Sequence, residues 1–134
     1  MKWQGLAAVV VLVEVLAASP ASADAIADCY GSAPDRAAAS ACVDKAVADS
    51  QRALDAALAK AKKAALKLDQ ATGRSEALPA LLSSQAAFDA YREATCRKLV
   101  PAVFQGGSGE GQAMAVCLVE SDAQRVRWLA ANVM

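Results

Sequence analysis

Cys96-Arg97-Lys98-Leu99-Val100-Pro101-Ala102-Val103-Phe104-Gln105-Gly106-Gly107-Ser108-Gly109-Glu110-Gly111-Gln112-Ala113-Met114-Ala115-Val116-Cys117 is the stretch that decides how this chain folds. Two cysteines bracket a glycine-rich run, and apolar-periodic sequence continues on both sides. A run of breakers between two helical patterns predicts a helical hairpin. Cysteines at similar depths in its two arms predict a staple across it.

The arm after the loop, from Gln112 to about Ala131, places Met114, Val116, Cys117, Val119, Val126, Leu129 and Ala130 at apolar positions. The arm before it, from about Leu78 to Phe104, carries Leu81, Leu82, Phe88, Tyr91, Leu99 and Val103. Ser75 or Glu76 opens that arm, Pro79 is tolerated in a first turn, and Pro101 is expected to kink the last turn. Further upstream, Asp35 to about Gln70 is almost pure helix former. Val47, Leu54, Ala61 and Leu68 recur there every seven residues, with Ala57, Leu58 and Ala65 between them, as a narrow apolar stripe. Asp35 favours the helix dipole at the start, Lys60, Lys62, Lys63 and Lys67 suit its end, and Thr72-Gly73 stops it. No stretch alternates as a strand does. The expectation is an all-α, small antiparallel bundle of about three helices, stapled by two disulfides.

The N-terminus carries Lys2, an apolar run from Leu6 to Ala18, and Ala21-Ser22-Ala23 before Asp24. This three-part pattern predicts a secretory signal over residues 1–23 and a mature domain over 24–134. The run is short for a bilayer span, and Glu14 in its middle would be costly there. Cys29 is a poor lipid-attachment site, because Asp28 stands where a lipoprotein signal needs a small residue. The expected product is periplasmic or secreted, without stable membrane insertion.

Four cysteines in an exported chain of this size suggest two disulfides, and they allow three connectivities. Geometry favours neighbours. From Cys29, extended chain at about 3.3 Å per residue can turn at Gly31 to Pro34 and meet Cys42, while Cys96 and Cys117 face each other across the hairpin. A four-cysteine zinc site would need close C-x-x-C pairs, and there are none. Each bridge should contribute roughly 3 kcal/mol, which matters in a chain whose alanine-rich helices carry little apolar area per residue.

The chain has 14 basic and 14 acidic residues and no histidine. Charge balance gives no case for nucleic acid or a membrane surface. Nucleophilic catalysis by serine or cysteine usually needs a positioned base, most often histidine, so no enzyme and no cofactor is expected. Asp89 and Glu93, with Arg92 and Arg97 at helical spacing, read as a solvated ion-pair ladder rather than a catalytic acid pair. The glycine run follows a helix and lacks Lys-Ser/Thr, so it reads as a connector and not a phosphate loop. Trp128 reads as core or rim packing rather than a binding anchor.

The stretch Leu81-Leu82-Ser83-Ser84-Gln85-Ala86-Ala87-Phe88-Asp89-Ala90-Tyr91-Arg92-Glu93-Ala94-Thr95-Cys96 resembles the central signature of the lysozyme inhibitor LprI N-terminal domain family. There a Gln and an aromatic lead into a Tyr-Arg-acid step and a cysteine. Gly106-Gly107-Ser108, Cys117-Leu118, Arg125 and Leu129 are similar to its glycine loop, last cysteine and closing Arg-x-x-x-Leu, and Cys29 and Cys42 to its first cysteine pair. Phe88 stands where the family usually has Trp. The resemblance implies a small exported disulfide-bonded helical domain, and for some members inhibition of lysozyme in the cell envelope. Gln85, Phe88, Tyr91, Arg92 and Arg125 are the signature positions. The expected function is non-catalytic blocking of a lysozyme, with Gly106, Gly107, Ser108 and Glu110 as the partner-binding loop. Asp89, Glu93, Glu110, Glu120 and Asp122 are the candidates for an acidic patch. The alternative is an envelope structural or stress-related protein-binding domain, marked by an apolar patch around Trp128.

Overall fold

The computed structural model describes residues 23–107 and 109–134; of the expected signal segment, only Ala23 falls within them. Among the described residues helix is the only regular secondary structure. Helix α1 covers Ala23–Ser32 and α2 Arg36–Thr72. Helix α3 is α-helical over Ala77–Arg92, widens to a π-helix over Glu93–Leu99, and ends with the α-helical turn Val100–Phe104. Helix α4 covers Glu110–Asn132.

Among the described residues there are four helices, not about three. The difference is α1, in a segment expected to be extended. Asp24 stands in its first turn, and Ile26 and Cys29, three residues apart, are both buried. One helical turn therefore puts the apolar side chain and the disulfide on the same face. The bridge Cys29 to Cys42, with Cα atoms 5.5 Å apart, folds α1 back along α2.

Asp35 is the N-cap of α2 rather than a member of its first turn, and its side chain accepts the Ala38 N–H at 2.8 Å. Gly73 ends the helix at φ 69°, a left-handed conformation open to glycine at little cost. No base lies in the last turn of α2, because Lys60 to Lys67 end one turn too early. The dipole falls off within the last turn, so it does not account for the lysines. The heptad stripe also drifts. Leu54, Ala57, Ala61 and Ala65 are buried, whereas Leu68 is 55% exposed. A straight helix slips roughly 20° per heptad, and over the interval from Val47 to Leu68 that turns the last leucine out of the seam.

The start of α3 is capped from outside. Glu76 makes no side-chain cap. Instead the Asp69 carboxylate, near the end of α2, accepts the N–H groups of Glu76, Ala77 and Leu78 at 3.1, 2.8 and 3.0 Å. These donors, Leu78 first, hold its pKa below the usual carboxylate range. In place of the expected kink at Pro101, the helix widens just before it. Proline has no N–H and its ring crowds the carbonyl four residues back. The backbone bypasses this by widening, and Val100 N–H donates to Thr95 O, five residues back.

Helices α2 and α4 run side by side in the same direction, and α3 runs antiparallel between their ends. One apolar cluster gathers Ile26, Cys29, Val43, Ala115 and Val119. The other gathers Leu54, Ala57, Ala61, Ala65, Leu81 and Leu129. Alanines at the contacts let the helix axes approach closely, which replaces large rings as the source of packing. Several expected core residues of α3 are instead on the surface. Leu82, Tyr91, Leu99 and Val103 are exposed, while Leu81 and Phe88 face inward.

Candidate partner-binding surface

Between the two apolar clusters lies a polar layer. Asp122 on α4 is fully buried. Ser50 Oγ on α2 donates to its Oδ2 at 2.9 Å, and Arg92 Nη2 on α3 donates to the same atom at 2.8 Å. Arg92 Nε lies 2.7 Å from Oδ1, but off the hydrogen-bond axis, so the Nη2 contact carries the directional bond. One carboxylate thus ties three helices together.

One turn away, Gln85 Oε1 accepts from Arg125 Nε at 3.1 Å, while Gln85 Nε2 donates to Asp89 Oδ1 at 2.9 Å. Arg125 Nη2 donates to Ser84 Oγ at 3.0 Å. Its guanidinium also lies over the Phe88 ring at 5.5 Å and the Trp128 ring at 5.1 Å. Burial pulls the Arg125 pKa below its ordinary value, and the Asp89 carboxylate opposes that shift. Of the five signature residues, Gln85, Phe88, Arg92 and Arg125 therefore join α3 to α4. Tyr91 stands apart, 61% exposed.

Cys96 and Cys117 close the hairpin at the far end, with Cα atoms 5.4 Å apart. Beyond them the connector is short and shaped. Gln105 and Gly106 are left-handed in succession, at φ 51° and 72°. Gly107 N–H donates to Phe104 O, and a Cβ at Gly107 would sit 3.0 Å from that oxygen. Glu110 is in the first turn of α4, its carboxylate 3.9 Å from where a Gly106 Cβ would be. Gly106, Gly107 and Glu110 are thus brought together at one tip, next to exposed Leu99, Val103 and Phe104. Ser108 lies outside the described residues.

The expected acidic patch does not assemble. Asp122 is buried in its ion pair, and Glu120 accepts, at 3.0 Å, the N–H of Ala23, the last residue of the expected signal segment, a bond that a chain beginning at Asp24 lacks. Glu93 pairs with Arg97 at 3.5 Å, but Arg92 leaves the expected ladder for the interior. Other exposed acids lie on α1 and around the α1–α2 corner: Asp24 and Asp28 on α1, and Asp35 and Asp44, each of which shares a surface hollow with half-exposed Tyr30. The signal for this corner was present in the sequence: between Asp24 and Asp55 acids outnumber bases.

At the opposite end, α2, α3 and α4 form an apolar trough of about 580 Å³ floored by Ala64, Ala65, Ala77 and Ala80. Trp128, 49% exposed, is one wall, and Leu68 and Val133 stand near its end.

The arrangement defines a disulfide-stapled, all-α domain in which four of the five signature residues hold helices together. The chain belongs to the lysozyme inhibitor LprI family, whose model matches residues 27–129. No curated protein and no solved structure matches it. Among the described residues no helix is long and apolar enough to cross a membrane.

Proposed function

We propose that the chain is an exported inhibitor that binds a lysozyme and blocks its glycan cleft sterically, without catalysis. Membership of the LprI family over most of the chain carries this reading. Two disulfides support export, since such bridges persist in oxidising compartments. The contact is assigned to the tip that carries Gly106, Gly107 and Glu110, with Ser108, next in sequence, as a further candidate. The bridge between Cys96 and Cys117 joins the two helices that carry it. The acidic α1–α2 corner adds steering towards a cationic enzyme.

The test is muramidase activity on cell-wall substrate, with the oxidised chain beginning at Asp24 and its reduced, alkylated form as control. Dose-dependent inhibition that disappears on reduction is expected. A folded, helical chain that inhibits no lysozyme type would refute the reading. The alternative, an envelope protein-binding domain with no lysozyme activity, draws on the exposed apolar surface around Trp128.

A further inference from the structure

The trough beside Trp128 has features that the lysozyme reading does not use. Its volume falls within the range of small-molecule pockets, roughly 300–1,000 Å³, and its floor is alanine from two helices. It is not apolar throughout. Ser84 at one end bonds to Arg125, whose guanidinium lies against Trp128, the trough wall. The bonds to Gln85 and Ser84 engage two of the five guanidinium N–H groups. Lys60 and Lys67, both exposed, stand one turn before and one turn after Ala64, on the α2 face that carries this lining residue. The α2 dipole leaves these lysines unexplained, as described above.

From this complementarity we infer that the trough binds a single-chain fatty carboxylate. The head group meets Arg125, whose planar fork suits a carboxylate, and the alkyl chain runs over Ala80 and Ala64 towards Leu68. From Ser84 to Ala77 the α3 wall extends about 10 Å at 1.5 Å per residue, enough for a medium-length chain. Lys60, on the Ser84 side, adds positive charge near the head group, and the long stem of Lys67, beside Leu68, covers the methylenes of the tail. This inference is independent of lysozyme binding, and neither result alters the other.

The probe is sodium dodecanoate, below its micelle concentration, added to the full chain carrying Trp3→Phe so that Trp128 is the sole indole. A saturable blue shift of Trp128 emission is expected, with a matching calorimetric isotherm. Dodecyltrimethylammonium should bind at least about tenfold more weakly. Ala80→Phe, which fills the trough, should abolish the shift. Arg125→Gln should weaken binding about tenfold, with far-UV circular dichroism as the folding control. The double variant Lys60→Gln/Lys67→Gln, on the exposed face, provides the same test without touching the Gln85 network. Absence of a saturable shift would overturn the inference, as would equal binding of the cationic amphiphile. So would a shift seen only with anionic phospholipid vesicles and unchanged by Ala80→Phe, which would mark a membrane-adsorbing surface. If dodecanoate is inert while a protein partner protects Trp128 from quenching, the trough is a protein groove instead.

Discussion

Arg92 and Asp122, thirty positions apart, form an ion pair with Nε 2.7 Å from Oδ1, and Asp122 is almost completely shielded from water. Removing one partner of a buried pair leaves an uncompensated charge, a loss of about 3–5 kcal/mol. Arg92→Leu or Asp122→Ala should therefore cost that much in chemical denaturation, enough to unfold much of the population of a marginally stable domain. Replacing both with apolar residues of matched volume should recover most of the loss. If each single variant lost less than about 1 kcal/mol, the pair would be behaving as a surface salt bridge.

The bridges should be worth about 3 kcal/mol each on the chain-entropy estimate, for sequence separations of 13 and 21 residues. Cys96→Ser/Cys117→Ser should lower the denaturation midpoint with little change in slope. An unchanged midpoint would mean that packing alone orders the α3–α4 hairpin.

Asp69 gives the fold an acid limb. Its folded pKa is depressed, so its contribution is fully present above the unfolded value of about 3.9 and is lost as pH falls through the folded value. Melting temperature should decline below about pH 4. Asp69→Ala should melt lower than wild type at neutral pH and show a shallower acid decline. Identical pH profiles would exclude Asp69 as the cap of α3.

Ala61 is fully buried at the α2 contact. Ala61→Leu should push the helices apart and destabilise by about 1–3 kcal/mol, measured by urea denaturation. A stabilising effect would reveal unfilled space in the seam.

At the tip, Glu110→Lys should weaken lysozyme inhibition while Lys63→Glu leaves it intact. Equal inhibition by wild type and Glu110→Lys would remove the tip from the contact. Inhibition should also slow on association as ionic strength rises, because steering by the acidic corner is screened.

Much of the architecture was legible in the sequence because its punctuation is local. Asp35, Gly73 and the Gly106 to Gly111 connector mark helix ends by short-range chemistry, and the neighbouring cysteines pair as their spacing suggests. Helix α1 was harder to see, because ten residues with only Ile26 and Cys29 facing inward give too short a period to read. The role of Asp69 was invisible for a different reason: a cap borrowed from the preceding helix leaves no Ser, Thr or Asp at the N-cap position. Arg92 looked like one rung of an exposed ladder with Asp89 and Glu93, and only the approach of α4 shows that its partner is Asp122. Gly106, Gly107 and Glu110 do lie together, but of the acids expected to accompany them Asp122 is spent on an internal ion pair, and Asp89 and Glu93 bond to neighbours on α3.

Each disulfide joins a cysteine to the next one along the chain. A polypeptide threaded N-terminus first into an oxidising compartment would present Cys42 to Cys29 before Cys96 emerged, and then Cys117 to Cys96. Pairing in order of arrival already yields the native connectivity. Maturation should accordingly depend on a thiol oxidase and be indifferent to a disulfide isomerase, and a fall in folded yield in isomerase-deficient cells would contradict this.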